Sequence, residues 1–90
     1  MIPSRREKSV IVVENFVNGG GVCKNWNGTI IDYGDRLQSF HRVIARWEDN
    51  ELLVLNPTKP KLTKTTKAHI YLVFGVVYDS GKTCKLVNKL

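Results

Sequence analysis

The fold of this chain is decided by residues 39–70, which read SFHRVIARWEDNELLVLNPTKPKLTKTTKAHI. Two apolar runs, 40–47 and 52–55, flank a polar tetrapeptide at 48–51. Apolar runs of this length on either side of a short polar segment are typical of two strands and a tight turn, so the stretch predicts a β-hairpin. Asn56 and Pro57 then end the second strand, because proline lacks the backbone N–H that a sheet ladder needs.

The first strand of this hairpin carries a mixed aromatic and basic face. Successive side chains of a strand point to opposite faces. One face would therefore consist of Phe40, Arg42, Ile44 and Arg46. The other would consist of His41, Val43, Ala45 and Trp47. An aromatic ring among arginines suits contact with a nucleic-acid backbone and stacking on its bases. The alternative interpretation is a core aromatic beside a solvated, charged strand edge.

A lysine- and threonine-rich segment follows the hairpin. Its lysines are Lys59, Lys61, Lys64 and Lys67. Either Thr65 or Thr66 would suit the N-cap of a helix. That helix would bury Ile70, Val73, Phe74 and Val77, which share one helical face. The β-branched and aromatic content of 69–78 favours a strand instead, so a helix near 67–77 and a strand both remain open.

The rest of the chain reads mostly as strands and turns. Residues 9–17 are rich in valine and predict a strand, which ends at the flexible turn 18–21. The Asn27–Gly28 dipeptide favours a hairpin around 22–33, and 79–82 would turn the chain into a last strand over 83–87. We therefore predict one α+β domain over 1–90, with an antiparallel sheet of about 4–5 strands and one short helix near 67–77. An all-β fold is the alternative, and residues 1–8 are expected to form a flexible basic arm.

Composition limits the classes of function. The 90 residues carry 14 Lys and Arg against 8 Asp and Glu, a formal charge of +6 with a pI near 9.6. Such an excess favours encounter with polyanions, because neutralised phosphates release condensed counterions. No run approaches the roughly 18 apolar residues of a membrane span, and the two cysteines are too few for a disulfide framework. We expect a soluble, intracellular protein with no membrane partner, in which Cys23 and Cys84 are reduced, a single bridge being the alternative.

No residue pattern marks a reaction centre. His41 and His69 have no third ligand at a recognisable metal spacing, so neither a metal nor a cofactor is expected. The glycines at 19–21 lack the following Gly-Lys-Ser/Thr of a phosphate loop. A Ser-His-Asp or Cys-His arrangement stays open, since its members can converge in space, but no nucleophile elbow indicates one. We predict a protein that is not an enzyme, in which His69 packs beside the hairpin or caps the threonine segment.

The stretch 39–70 also resembles a small domain of uncharacterised function that is common in bacteriophages and other mobile elements. In that family a strand of the type SYxTxIA pairs with a strand of the type VxVN, and a KYSxTTSKH segment leads into a helix. The matching residues here are Ser39-Phe40, Val43–Ala45, Leu53–Asn56 and Thr65–His69. The chain departs from the pattern at Phe40–Arg42 and at Lys59–Leu62. The resemblance implies a phage or mobile-element origin and a helix that begins near Lys67.

Two functions follow as hypotheses. The first is an accessory protein, in the cytoplasm of the host cell, that binds DNA or RNA electrostatically. Its contact residues would be Lys59, Lys61, Lys64, Lys67, Arg42, Arg46 and Phe40. The alternative is an inhibitor that binds and blocks a host enzyme or defence complex. Its contact residues would be Glu48, Asp49 and Glu51, which with Asp32 and Asp35 could mimic phosphate, although a solvated turn explains the same residues.

Overall fold

The structure, a computed structural model, describes residues 8–25, 28–58 and 61–90. Two helices are present in these ranges, α1 (Ser9–Val17) and α2 (Lys64–Ser80). The strands are β1 (Cys23–Lys24), β2 (Ile30–Asp32), β3 (Arg36–Ser39), β4 (Arg42–Glu48), β5 (Glu51–Leu55) and β6 (Lys85–Val87). The α+β class is confirmed. Lys59 and nearly all of the predicted N-terminal arm, 1–7, lie outside the described residues.

The six strands form one mixed sheet in the order of the chain. Each strand from β1 to β4 is antiparallel to the next, whereas β6 is parallel to β5. A parallel neighbour needs a crossover, and α2 supplies it between β5 and β6. The sheet therefore has six strands where about 4–5 were predicted, and it contains one parallel pair where an antiparallel sheet was predicted. Both predicted hairpins are confirmed, 22–33 as β1–β2 and 40–55 as β4–β5.

The turn between β4 and β5 explains why the central hairpin is visible in the sequence. Glu48 pairs with Glu51, which leaves only Asp49 and Asn50 in the loop. These two residues have φ angles of 51° and 66°. A two-residue loop with positive φ at both positions matches the twist of the flanking strands, and Asp and Asn tolerate that conformation better than other non-glycine residues.

A β-bulge overturns the predicted faces of β4. Leu37 pairs with Ala45, but the next residue, Gln38, pairs with Val43, so Ile44 is the extra residue. Both Ile44 and Ala45 are buried, and the strict alternation is lost at this point. Arg42 consequently lies opposite Ser39, whereas Arg46 lies opposite Arg36. Since residues 36 and 39 are three apart on β3, Arg42 and Arg46 point to opposite faces, and the predicted Phe40–Arg42–Arg46 face is wrong.

Residues 9–17 form a helix, so the predicted strand there is wrong. The buried side chains are Val12, Val13, Phe16 and Val17, a helical spacing that the valine-rich composition had masked. The helix ends where Gly19 adopts φ 71° and its N–H, with that of Gly20, returns to the carbonyls of Phe16 and Asn15. This is a Schellman ending, in which a left-handed glycine satisfies the last carbonyls. The Trp47 indole N–H donates to the Phe16 carbonyl at 3.0 Å and ties α1 to the sheet.

Helix α2 settles the open choice for 69–78 in favour of a helix. Its N-cap is Thr63 rather than Thr65 or Thr66, because the Thr63 hydroxyl accepts the Thr66 N–H at 3.1 Å. The buried face, at helical spacing, comprises Thr66, His69, Ile70, Val73, Val76 and Val77. The helix ends at Gly81, which has φ 75°.

Both helices pack on one face of the sheet and enclose the core. The largest fully buried side chains include Phe16 from α1, Ile70 from α2, and Leu37, Ile44 and Leu52 from the strands. Neither helix in the described ranges is long and apolar enough to cross a membrane. Cys23 and Cys84, both in the described part of the chain, are not joined by a disulfide.

The N-cap assignment can be checked with two threonine variants. Thr63→Ala should lower the free energy of unfolding by about 1 kcal/mol, because it removes the side-chain acceptor of the Thr66 N–H. Thr65→Ala is the matched control, since Thr65 is exposed in the first turn and should change stability by only a few tenths of a kcal/mol. Urea denaturation followed by circular dichroism measures both. Equal losses would contradict Thr63 as the cap.

Candidate functional site

The topology separates the charges of the molecule into two ends. The β3–β4 turn, Phe40–His41, lies at one end of the sheet, here called the basic end. The β2–β3 and β4–β5 turns lie at the other, here called the acidic end. Strand β4 alone spans about 20 Å between them. Every side-chain carboxylate of the described residues lies in the half nearer the acidic end, namely Glu14, Asp32, Asp35, Glu48, Asp49, Glu51 and Asp79.

Both helices run from the basic end to the acidic end. Ser9 at the start of α1 lies within 3.4 Å of Asn25, which accepts a hydrogen bond from Ile30 at the start of β2. Thr66 at the start of α2 lies 3.3 Å from Ser39 at the end of β3. The positive ends of both helix dipoles therefore face the basic end and add to the charge separation.

Two grooves meet at the basic end. The Phe40 groove, of about 560 Å³, lies between the β3–β4 turn and the start of α2, and Phe40, Arg42, Lys61 and Leu62 line it. The Lys89 groove, of about 550 Å³, lies between β4 and the end of the chain, and Lys89 and Leu90 line it. His41 and Arg42 belong to both grooves. Within the described residues, no acidic side chain lines either groove.

Phe40 stands at the edge of its groove in an unusual backbone conformation. Its φ angle is 55°, a left-handed value that costs an L-residue roughly 1–2 kcal/mol, and its side chain is 45 % exposed. Two hydrogen bonds hold this backbone in place. The Phe40 N–H donates to the Thr29 carbonyl at 2.8 Å, and the Gln38 side-chain amide donates to the Phe40 carbonyl at 3.2 Å. The ring is thus presented to solvent from a fixed turn.

A buried polar chain fixes the turn against α2. The Ser39 hydroxyl lies 2.7 Å from His69 Nδ1 and 3.3 Å from the Thr66 hydroxyl, which accepts from Thr63 at 3.0 Å. One orientation satisfies all four groups: each hydroxyl donates to the next, and His69 Nδ1 accepts at the end. The imidazole must then be neutral, and burial does lower the pKa of His69 below 6.5.

Ser39 and His69 are in contact, as a serine nucleophile and its general base would be, but the Ser39 hydroxyl is not exposed to a substrate. A serine nucleophile has to reach the substrate, and Ser39 is 0 % exposed. His69 is bonded to Ser39, beside the hairpin, where a structural histidine was expected. The pair therefore joins strand β3 to helix α2, and Ser39 is among the residues that line the Phe40 groove. Within the described residues, no group of three or more His, Cys, Asp or Glu side chains is placed to hold a metal ion.

The structure brings together most of the basic residues that the sequence singled out. Phe40, Arg42 and Lys61 share the Phe40 groove, and Lys64 and Lys67 lie in the first turn of α2 at the same end. Arg46 does not join them. It points to the opposite face of the sheet and forms an ion pair with Glu48 at 3.2 Å. Lys59 lies outside the described residues.

Two parts of the basic end were not predicted from the sequence as parts of a site. Lys89 enters the site only because β6 pairs in parallel with β5 and returns the chain to this end, and no local pattern predicts that pairing. The Ser39–Thr66–His69 cluster did leave a signal. All three residues belong to the motifs on which the predicted resemblance to a phage domain rests, and those motifs are the signal that could have located the cluster.

The acidic residues of the alternative hypothesis lie at the acidic end. Asp49 and Asp35 line a groove of about 530 Å³ together with Trp47 and Lys82. Glu48 and Glu51 face each other across the β4–β5 pair and are exposed. Asp32 is not part of this surface because it is 0 % exposed. Its carboxylate accepts the Gly34 N–H and the Asn15 amide, each at 2.7 Å, and burial raises its pKa above 3.8.

Comparison with known proteins adds no assignment. No family model matches the chain, and neither a curated protein nor a solved structure matches it. The resemblance of 39–70 to a phage domain therefore stays a prediction, and a function has to be argued from the geometry.

Protonation of His69 should destabilise the fold. Its folded-state pKa is below the unfolded value of 6.5, so the unfolded chain binds more protons below about pH 6.5 and stability falls as the pH drops. Denaturation at about pH 7.5 and about pH 5.5 should show this loss in the parent, with a slope of up to about 1.4 kcal/mol per pH unit from this group. His69→Gln should be less stable at the higher pH but should lose less on acidification. A parallel loss in both proteins would contradict the assignment.

Asp32 should contribute with the opposite sign. Its folded-state pKa lies above the unfolded value of 3.8, so the folded chain binds more protons in that window and gains stability as the pH falls through it. As the pH falls from about 6 to about 4, the free energy of unfolding of the parent should therefore rise relative to that of Asp32→Asn. Asp79→Asn, at an exposed position, is the control. The same pH profile for both variants would count against a buried ionisable Asp32.

Proposed function

We propose that this protein binds nucleic acid through its basic end. One observation carries the proposal. Two grooves meet at Arg42, one of them also contains Lys61 and the other Lys89, and no acidic side chain of the described residues lines either groove. Two cations nearer the other end are compensated, since Arg36 and Arg46 pair with Asp35 and Glu48 at 3.0 and 3.2 Å. Among the described residues, positive charge without acidic neighbours is therefore concentrated at the basic end.

Charge placement decides what such a surface attracts. A formal charge of +6 spread evenly would give weak, unoriented attraction to any polyanion. The cations that the described residues hold at the basic end, aligned with two helix dipoles, instead orient the molecule as it approaches a phosphate backbone. Arg42 is placed to contact phosphates from both grooves, and Lys61 and Lys89 extend that contact in two directions. Lys64 and Lys67 supply further charge beside the Phe40 groove.

The proposed role is that of a non-enzymatic accessory protein of a phage or mobile element, acting in the host cytoplasm. Binding needs no reaction centre, and the burial of Ser39 supports a structural use of the Ser39–His69 pair. The phage setting rests on the resemblance of residues 39–70. It is separable from the binding proposal, which rests on the charges alone.

The alternative, an inhibitor of a host protein, would use the acidic end. Asp35 and Asp49 converge on one groove beside Trp47, an arrangement that suits a basic partner segment. Lys82 lines the same groove and opposes that charge. No acidic side chain of the described residues lines either groove of the basic end, and for this reason we favour nucleic acid over a protein partner.

A pair of double variants tests the binding proposal. Arg42→Gln with Lys61→Gln removes two charges from the basic end, and Lys82→Gln with Lys85→Gln removes two from elsewhere, so both proteins fall from +6 to +4. Fluorescence anisotropy with a labelled oligonucleotide of about 20 nucleotides, over a KCl series, gives the affinity and its salt slope. The first variant should lower the slope of log K against log salt by about 0.7 per lost phosphate contact on a single strand, and the second should lower it far less.

The outcomes separate local contact from net charge. If both double variants weaken binding equally, only the overall charge matters and the basic end is not a site. If the parent protein shows no salt-dependent binding to single or double strands, nucleic-acid binding fails altogether. Capture of a host protein through Asp35 and Asp49, tested with Asp35→Asn and Asp49→Asn after nuclease treatment, would then support the inhibitor.

A further inference from the structure

Folding does not explain the placement of Phe40. A large aromatic residue in the left-handed region is strained, and the 45 % exposure of the ring means that burial compensates only in part. The β4–β5 turn provides a comparison within the same sheet, since its positive φ angles fall on Asp49 and Asn50, which suit that conformation. Strained residues in native proteins cluster at sites that contact ligands.

The surroundings of the ring indicate what it contacts. Phe40 lies on a turn whose backbone is fixed by Thr29 and Gln38, so the backbone that carries the ring loses little conformational freedom on binding. Arg42 and Lys61 line the same groove. The site therefore offers an apolar ring together with two cations, Arg42 on strand β4 and Lys61 in the loop before α2.

Single-stranded nucleic acid carries the complementary groups in every repeating unit. Each nucleotide has a phosphate for the cations and an unpaired base whose flat face can stack on the ring. In a duplex the base faces are covered by their neighbours, so only the phosphates would be available. A duplex would thus use Arg42 and Lys61 and leave Phe40 without a partner.

We infer that Phe40 stacks on an unpaired base and makes the basic end selective for single strands over duplexes. This inference rests on the proposed function, because it presupposes that the basic end binds nucleic acid. Arg42 and Lys61 supply attraction that is indifferent to strandedness, and Phe40 supplies the discrimination. The strained turn is the means by which the ring is held out of the core and beside the cations.

The test compares a single strand of about 20 nucleotides with a duplex of the same sequence, by anisotropy at one salt concentration. Phe40→Gly is the key variant, because glycine adopts positive φ freely and the protein should fold at least as stably. It should bind the single strand about 10-fold more weakly and the duplex nearly unchanged. Phe40→Tyr retains the ring and should keep the preference. Tyr78→Ala, which removes an 85 % exposed ring at the acidic end, is the control and should have no effect.

Each outcome separates this inference from the proposal beneath it. Equal weakening of single strand and duplex by Phe40→Gly, or no weakening of either, overturns stacking and leaves binding by the basic end intact. A parent protein that prefers the duplex overturns the inference in the same way. A parent that binds neither form overturns both. Denaturant melts of Phe40→Gly confirm that any loss is not one of folding.

Discussion

The hydrogen bond between Ser39 and His69 is the contact on which the arrangement of this molecule depends. It joins the end of β3 to the second turn of α2 at 2.7 Å, and Thr66 and Thr63 extend it to the start of the helix. All of these groups are polar and most are buried, so each has to be satisfied by another. The network therefore fixes the start of α2 relative to the sheet more narrowly than apolar packing alone would.

The parts of the fold that the sequence predicts are those set by local chemistry. The β4–β5 hairpin follows from a polar two-residue turn between apolar runs, and α2 follows from apolar residues at helical spacing. The cap of α2 was misplaced because three threonines compete for it. Contact of Thr66 with Ser39, 27 residues away in the chain, assigns Thr66 to the buried face and leaves Thr63 as the cap.

The parts that were missed depend on pairing between distant segments. Residues 9–17 have the composition of a strand, but their buried side chains recur at helical spacing and the segment packs across the sheet as a helix. The bulge at Ile44 exists only in relation to β3, so the alternation of β4 alone placed Arg42 and Arg46 together. Lys89 joins the basic end through a parallel pairing that no turn signal announces. Residue types in the sequence thus indicated most members of the candidate site, whereas strand register removed Arg46 from it and added Lys89.

The two edges of the sheet have a consequence for how the protein behaves at high concentration. Its outermost strands, β1 and β6, have two and three residues, and each carries a lysine, Lys24 and Lys85. An unpaired strand edge is a template on which other chains can add, and short, charged edges offer such a template few consecutive donors and acceptors. Short, charged outer strands in this way protect the sheet against edge-to-edge aggregation.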